Sequence, residues 1–397
     1  MDLKVYIVFI IYLIHSIESL NKDINSNIPD SKLNFTQLAT KYGYSAEEHK
    51  VTTEDGYILT MFRMKGERCE GTGLPVVMMH GLLMSSDSFL DAGPDAGLAY
   101  LLADTCEDLW VANCRGNYYS RAHTSLNPNK DPKFWEFDVQ EIGYYDVPAV
   151  IDYVLDQTNA DKVNYIGFSQ GAGTVFIMCS ERPGYCEKLN LLIGLAPAAR
   201  QTYTKSVLFR TIATTCMKTE GVLKLAGIHE VFGKEIRDIL SEFCSFDDDA
   251  SNVCLSFLWL LDSPHPGSIS YSTLRRLFGH FTAGTSLQNM ARYGQSMATK
   301  NFQKFDFGLK KNLRVYGNAF PPKYNLSAST MPVMIMYGKN DGMVDTKDVE
   351  WLVSKLPNVI ESSLVPDPNW THLDNTYSRF IANSTFPKIR DFLSKFG

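Results

Sequence analysis

The fold of this chain is decided by the stretch Val163-Asn164-Tyr165-Ile166-Gly167-Phe168-Ser169-Gln170-Gly171. Its first residues are typical of a buried strand, and it continues as Gly-x-Ser-x-Gly into the small residues 172–175, which favour a helix. A strand, a tight turn and a helix in this order form a nucleophile elbow, which holds a serine hydroxyl over a helix N-terminus where negative charge is favoured. The stretch therefore predicts that Ser169 is a nucleophile. The alternative is a glycine-rich turn with an inert serine.

Short apolar runs recur on both sides of this elbow. Strands are predicted at residues 57–64, 75–79, 109–113, 162–167, 191–196, 333–337 and 359–365, and helices at residues 92–102, 144–156, 172–180 and 348–356. Strands that alternate with helices in this way indicate a mostly parallel sheet that is covered on both faces. The chain is therefore expected to have an α/β fold.

The alternation is interrupted once. Residues 20–201 and 324–397 contain the predicted strands of the α/β core, whereas residues 202–323 between them contain helices and loops. The interrupting segment includes an apolar run, Phe257-Leu258-Trp259-Leu260-Leu261. We expect residues 202–323 to form a cap and lid that is inserted into one core.

Residues 1–19 have the pattern of a secretory signal peptide. Lys4 precedes an apolar run from Val5 to Ile14, and small and polar residues follow as far as Ser19. The run is too short to cross a bilayer core of roughly 30 Å. The alternative is a buried N-terminal strand. No transmembrane segment is expected after removal of the signal peptide.

The composition excludes collagen-like, coiled-coil and disordered classes of protein. Hydrophobic residues make up 45% of the chain and charged residues 21%, which is ordinary for a globular protein. The net charge is −6, and long runs of Lys or Arg are absent, so we do not expect nucleic acid as a partner. Pairs of cysteines at zinc-binding spacing are also absent, and no metal or other cofactor is expected.

An elbow serine needs a histidine later in the chain, since the α/β-hydrolase order is serine, acid, histidine. His372 is the histidine that comes after the last predicted strand. His229, His265 and His280 fall within the predicted insertion, where surface or cap positions are the simpler interpretation. His372 is therefore predicted to be the general base.

The acid is expected at the carboxyl end of strand 333–337, where the active sites of open α/β sheets lie. Asp341 stands in the loop that follows this strand. Asp345 is the alternative acid, although its position before Thr346 also suits a cap for the next helix. The sequence favours Asp341.

Several further motifs accompany these residues. They are residues 53–59 (TEDGYIL), 80–83 (HGLL), 113–117 (NCRGN), 145–149 (YDVPA), 283–290 (AGTSLQNM), 338–341 (GKND) and 372–374 (HLD). In these motifs the chain resembles the acid lipase family, which includes gastric lipase and lysosomal acid lipase. The resemblance extends over nearly the whole chain after residue 19. It implies an α/β-hydrolase fold and a lipase that uses Ser169, Asp341 and His372.

An ester hydrolase also needs donors for the oxyanion of its transition state. In this architecture one donor is the N–H of Gln170, the residue after the nucleophile. The resemblance places the second donor at the N–H of Leu82. His80 precedes Ser169 in the chain and is expected to hold the loop of Leu82 in shape rather than to act in catalysis.

The chain departs from the family pattern at three places. Phe168 stands where the family usually has histidine, which puts the pH preference in question. Cys114 replaces the serine of the family's Asn-Ser-Arg-Gly segment, and the loop 366–371 before His372 is longer than usual.

Eight cysteines and four glycosylation sequons suit a secreted protein. The resemblance implies that Cys244 pairs with Cys254. Cys179 and Cys186 could also pair, whereas no partners are predicted for Cys69, Cys106, Cys114 and Cys216. The sequon asparagines are Asn34, Asn325, Asn369 and Asn383, of which Asn369 is close enough to His372 for a glycan to crowd the site.

Three functions remain in competition. The favoured one is a secreted or lysosomal lipase that acts on triacylglycerol or cholesteryl ester at an oil–water or micelle interface. The second is an esterase or thioesterase for soluble substrates, against which the apolar insertion argues. The third is a non-catalytic lipid-binding protein, which would have no need to retain all of Ser169, Asp341 and His372.

Overall fold

The computed structural model describes residues 29–66, residue 69 and residues 73–397. The signal peptide predicted at residues 1–19 lies outside the described residues. Within the described ranges, no helix is both long enough and apolar enough to cross a bilayer.

An eight-stranded sheet forms the core of the protein. In chain order its strands are β1 (Ser45–Thr52), β2 (Ile58–Lys65), β3 (Val76–Met79), β4 (Leu109–Ala112), β5 (Val163–Phe168), β6 (Leu189–Leu195), β9 (Val333–Tyr337) and β10 (Val359–Leu364). Their order across the sheet is β1-β2-β4-β3-β5-β6-β9-β10. The pairs β1–β2 and β2–β4 are antiparallel, and every later pair is parallel. Two short strands, β7 (Glu230–Val231) and β8 (Thr285–Ser286), pair separately.

The helices follow the strands along the chain. They are α1 (Phe35–Lys41), α2 (Leu98–Ala103), α3 (Val139–Glu141), α4 (Val147–Thr158), α5 (Gln170–Glu181), α6 (Val207–Leu225), α7 (Lys234–Cys244), α8 (Asp248–Leu261), α9 (Tyr271–His280), α10 (Leu287–Ala298), α11 (Leu309–Tyr316), α12 (Thr346–Val353), α13 (Asp374–Tyr377), α14 (Ile381–Ser384) and α15 (Phe386–Phe396). A π-helical turn, Ile142–Asp146, leads into α4.

The central strands are apolar because both of their faces are covered. Every residue of β3, β4, β5 and β9 is buried. Such continuous burial is typical of parallel strands between two layers of helices. The predicted α/β fold with a mostly parallel sheet is therefore confirmed.

Two local predictions were wrong or incomplete. The helix expected at residues 92–102 begins only at Leu98, because Gly93 has a left-handed φ of +88° and Pro94 follows it. Strand β1 was not predicted, since it lies at the edge of the sheet and carries several exposed charged residues instead of an apolar run.

The segment between β6 and β9 contains α6 to α11. Within this segment α6 packs along α10. Gly294 allows this close approach, because a Cβ at that position would lie 2.4 Å from the carbonyl oxygen of Ala213. Helices α7 and α8 are joined by a disulfide between Cys244 and Cys254.

Candidate active site

The turn between β5 and α5 gives Ser169 an unusual backbone conformation. Its φ is +53°, which a residue with a side chain adopts only when its surroundings enforce it. A Cβ at Gly167 would lie 2.5 Å from the Cα of Ala172, and one at Gly171 would lie 2.3 Å from the carbonyl oxygen of Met79. Sterics therefore require glycine on both sides of the serine, as the elbow motif predicts.

Folding brings the three predicted site residues together at the carboxyl ends of the parallel strands. Ser169 follows β5, Asp341 follows β9, and His372 lies in the loop after β10. The Nε2 atom of His372 is 2.8 Å from the Oγ of Ser169, and its Nδ1 is 2.7 Å from the Oδ2 of Asp341. All three side chains are buried. The serine hydroxyl can therefore donate to an imidazole whose other nitrogen donates to a carboxylate.

The second carboxylate oxygen of Asp341 is also bonded. Oδ1 accepts the backbone N–H groups of Met343 at 2.8 Å and Val344 at 2.7 Å. Asp345, the alternative acid, instead accepts the N–H of Lys347 at 2.9 Å as the N-cap of α12. Only Asp341 of the two hydrogen-bonds to His372 in the described part of the chain.

Burial and the neighbouring carboxylates act on the pKa of His372 in opposite directions. Burial lowers the pKa of His372, but the charge of Asp341, the hydrogen bond to it and the charge of Asp262 outweigh that effect, so the pKa of His372 is raised above its ordinary 6.5. The ring of Phe168 packs beside the imidazole, with 4.8 Å between their centroids. Phe168, which replaces the usual histidine of the family, therefore covers the imidazole of His372 with an apolar surface.

The loop of His80, Gly81 and Leu82 lies against Ser169. A Cβ at Gly81 would be 3.2 Å from the Cβ of Ser169. The Nδ1–H of His80 donates to the carbonyl oxygen of Gly81 at 2.8 Å, while its Nε2 accepts the N–H of Cys114 at 3.2 Å. Burial lowers the pKa of His80 to about 4, so this imidazole is neutral. His80 thus fastens the loop, as expected.

Two residues of α10 hydrogen-bond to the side chain of Gln170. The sequence did not predict this contact. Its Oε1 accepts the Nδ2–H of Asn289 and the hydroxyl of Tyr293, both at 3.0 Å. These bonds fix the first residue of α5, whose backbone N–H is the predicted oxyanion donor. The only hint in the sequence is that Asn289 belongs to the quoted stretch 283–290.

A third buried carboxylate, Asp262, also lies next to the site and was not predicted. It follows α8 directly and accepts backbone N–H groups from Gly342 and Leu373. Burial, and after it the charge of Asp341, raises the pKa of Asp262 to about 7. No motif marks this residue, which is simply the first polar position after the apolar run 257–261.

The remaining histidines of the predicted insertion lie elsewhere. His265 Nδ1 is 2.7 Å from Asp374 Oδ2, and His280 Nδ1 is 2.6 Å from Asp91 Oδ1. The backbone carbonyl of His229 accepts the N–H of Leu287. Ser169 makes its hydrogen bond to His372 and to none of these three within the described residues.

Six of the eight cysteines form disulfides. Cys244 pairs with Cys254, as the resemblance implies, and Cys179 pairs with Cys186. The third pair is Cys69–Cys106, while Cys114 and Cys216 are free thiols. The four sequon asparagines, Asn34, Asn325, Asn369 and Asn383, are all exposed.

Comparison with known proteins adds independent information. The family described as a partial α/β-hydrolase lipase region matches residues 35–93, and the α/β hydrolase fold matches residues 75–202. Lipase 1 of Drosophila melanogaster is 35% identical over 367 residues, which cover 92% of this chain and 81% of that protein. Gastric triacylglycerol lipase of Bos taurus is 34% identical over 379 residues, with 92% of each chain covered.

A solved structure supports the fold alone. The α/β hydrolase GrgF from Penicillium sp. sh18 aligns with a TM-score of 0.52 at 14% identity, covering 88% of this chain and 98% of that chain.

In the described structure Asp341 bonds to His372 and Asp345 does not, so substitution of each aspartate can test which one is the acid. We predict that Asp341→Asn lowers kcat on a soluble short-chain ester by about 10⁴-fold, because the amide cannot stabilise the imidazolium of His372. Asp345→Asn, the matched control, keeps a side chain that can cap α12 and loses the ion pair with Lys205, so its stability should change by no more than about 1 kcal/mol. Steady-state kinetics and urea unfolding of both variants provide the test. A greater loss of kcat in Asp345→Asn would contradict the assignment.

Proposed function

The chain belongs to the acid lipase family and is a lipase, and we propose that it hydrolyses carboxylic esters of neutral lipids through an acyl-enzyme on Ser169. The observation that carries this proposal is the continuous hydrogen-bond chain from Ser169 through His372 to Asp341, buried at the carboxyl edge of the sheet. A family member that served only to bind lipid would have no use for this arrangement.

The first half of the reaction forms the acyl-enzyme. His372 Nε2 takes the proton of Ser169 as Oγ attacks the ester carbonyl carbon, and Asp341 stabilises the resulting imidazolium. When the tetrahedral intermediate collapses, the bond from the carbonyl carbon to the alcohol oxygen breaks. The imidazolium returns the proton to that oxygen, and the alcohol leaves.

The second half releases the acid. His372 removes a proton from a water molecule, which attacks the acyl carbon bound to Ser169 Oγ. Collapse of this second intermediate returns the proton to Ser169 and frees the fatty acid. The raised pKa of His372 favours proton uptake in both halves.

The oxyanion is assigned to the backbone N–H groups of Leu82 and Gln170. The close approach of the Gly81 backbone to Ser169, and the position of Gln170 as the first residue of α5, support this assignment. One such donor contributes about 3–4 kcal/mol to the transition state. The bonds of His80 to Gly81 and of Asn289 to Gln170 hold both donors in place before substrate arrives.

The exposed apolar surface supports a lipid substrate over a soluble ester. Among the described residues, all strongly exposed large apolar side chains except Ile360 and Leu364 lie within 202–323. A soluble protein rarely shows such a concentration unless it meets another apolar surface. We assign triacylglycerol as the substrate, in line with the name of the bovine relative, and cholesteryl ester is the alternative within the same class.

Access to the site calls for a movable cover. Ser169 is only 5% exposed, so a long acyl chain cannot reach it without displacement of neighbouring residues. We assign this role to residues 202–323 as a cap, with α7 and α8 as its lid and the Cys244–Cys254 disulfide closing them together. Phe246, just before α8, and Leu260, in its last turn, are exposed and suit contact with lipid. A rigid cap that merely shapes the pocket is the alternative.

The three disulfides suit an oxidising compartment. We therefore propose that the protein is secreted, with the lysosome as the alternative. The exposed sequon residues Asn34, Asn325 and Asn383 agree with that route as glycan acceptors, while Asn369 is the least favourable acceptor because it lies in the loop of His372.

The nucleophile is tested by Ser169→Ala. The variant should fold normally and lose nearly all hydrolysis, because the hydroxyl forms the covalent intermediate. Ser329→Ala is a matched control: it removes another fully buried hydroxyl, one without a hydrogen-bond partner in the described structure. Circular dichroism and turnover of emulsified triolein are measured for both. Wild-type turnover in Ser169→Ala would contradict the mechanism.

The lipid-contact assignment is tested with Phe246→Ser combined with Leu260→Ser. We expect hydrolysis of emulsified triolein to fall by about tenfold or more, with kcat on a soluble short-chain ester unchanged, because only adsorption to lipid is impaired. The double variant Ile360→Ser and Leu364→Ser removes similarly exposed apolar side chains from β10 and should change neither activity.

Wild-type kinetics complete this test. Activity should rise disproportionately once the lipid substrate aggregates, with no such break for the soluble ester. Simple saturation with both substrates would eliminate the moving lid and leave the rigid cap.

A further inference from the structure

Asp262 is a buried carboxylate that the reaction described above does not use. It is the residue after α8, and its own N–H bonds to the carbonyl oxygen of Leu258. Its Oδ1 accepts the backbone N–H of Gly342 at 2.9 Å, and its Oδ2 accepts that of Leu373 at 2.8 Å. One carboxylate therefore spans two loops.

These two loops carry the acid and the base. Gly342 follows Asp341 directly, and Leu373 follows His372 directly. The fit is close on the Gly342 side, since a Cβ there would lie 2.1 Å from the carbonyl oxygen of Asp262. Asp262 thus holds the backbone of the residue that follows Asp341 and of the residue that follows His372. Asp341 and His372 are the two residues joined by the 2.7 Å hydrogen bond.

Neighbouring contacts tie the same segment to the same loops. The Nδ2–H of Asn340 donates to the carbonyl oxygen of Pro264 at 3.0 Å. His265 is paired with Asp374, whose Oδ2 also accepts the N–H of Thr371 at 2.7 Å. The chain after α8 is therefore fastened on both sides of Asp341 and His372.

Stability alone does not account for a carboxylate at this position. Burial and, after it, the charge of Asp341 raise the pKa of Asp262 to about 7, so the ionised form is less favoured than in an exposed aspartate. The titratable groups that act on Asp262 are Asp341 and His372, and those that act on His372 are Asp341 and Asp262. Asp262 thus belongs electrostatically to the catalytic group.

We propose that Asp262 is a positioning residue that fixes the acid and histidine loops relative to each other and links them to the end of α8. This inference rests on the proposed function, because positioning matters only if Ser169, His372 and Asp341 carry out the reaction. It ties the C-terminal end of α8 to the loops that carry Asp341 and His372.

Asp262→Asn tests the proposal with little change in volume. The amide can accept only one of the two N–H groups and places its own NH₂ against the other. We expect kcat on a soluble short-chain ester, per site titrated with a serine-directed phosphonate, to fall by on the order of 10–10²-fold, with KM changed by less than about twofold. The acid limb of kcat/KM should move to lower pH, because loss of a neighbouring negative charge lowers the pKa of His372.

Asp345→Asn is the matched control, because it removes a similarly buried carboxylate from the acid loop without touching the histidine loop. It should leave kcat per titrated site and the acid limb as in the wild type. If Asp262→Asn gives no folded protein, Asp262→Glu is measured instead. It keeps the charge, so a lower kcat per site with a wild-type acid limb is expected.

A normal kcat per titrated site, with only the amount of folded protein reduced, would overturn the proposal and leave Asp262 a purely structural residue. So would an unchanged acid limb in Asp262→Asn. Failure of the proposed function is distinguishable, since in that case the wild-type protein itself would not react with the phosphonate.

Discussion

Both ring nitrogens of His372 make hydrogen bonds, and the rest of the site depends on these two contacts. One nitrogen faces Ser169 and the other faces Asp341, at 2.8 and 2.7 Å. The three residues come from loops after three different strands, so their meeting depends on the register of a parallel sheet whose carboxyl ends share one edge. Without that sheet, no local feature of the chain would bring the three groups within hydrogen-bond distance.

Holding this imidazole in a buried site has an electrostatic cost. Burial alone would lower the pKa of His372 and weaken it as a base, whereas Asp341 and Asp262 act in the opposite direction and prevail. His80 shows the contrast. It is equally buried, has no carboxylate bonded to it among the described residues, and its pKa is lowered to about 4. The same type of side chain thus has a raised pKa at one position and a lowered pKa at the other, according to its partners.

Local sequence was sufficient wherever local sterics decide the outcome. The elbow around Ser169 was predictable because a tight strand-to-helix turn excludes side chains at Gly167 and Gly171. The chain order of catalytic groups then pointed to Asp341 and His372. The prediction of a helix over residues 92–102 was wrong at its start, because the left-handed conformation of Gly93 outweighs a favourable pattern of apolar residues.

Contacts that form only when the chain folds could not be predicted from the local sequence. The two N–H groups that Asp262 accepts belong to Gly342 and Leu373. These residues lie 80 and 111 positions later in the chain, and no sequence motif marks such an arrangement. Tyr293 reaches Gln170 from 123 positions away. Asp262 and Tyr293 both come from the segment between β6 and β9, so this segment contributes contacts that hold the site in place.

The most direct measurement of the central claim is the location of a covalent adduct. The wild-type protein is inactivated with an alkyl phosphonate that reacts with activated serines, digested, and mapped by mass spectrometry. We expect one adduct per chain, on Ser169, with loss of activity in proportion to labelling. An adduct on another residue that accompanies inactivation, or full activity with Ser169 unlabelled, would contradict the account.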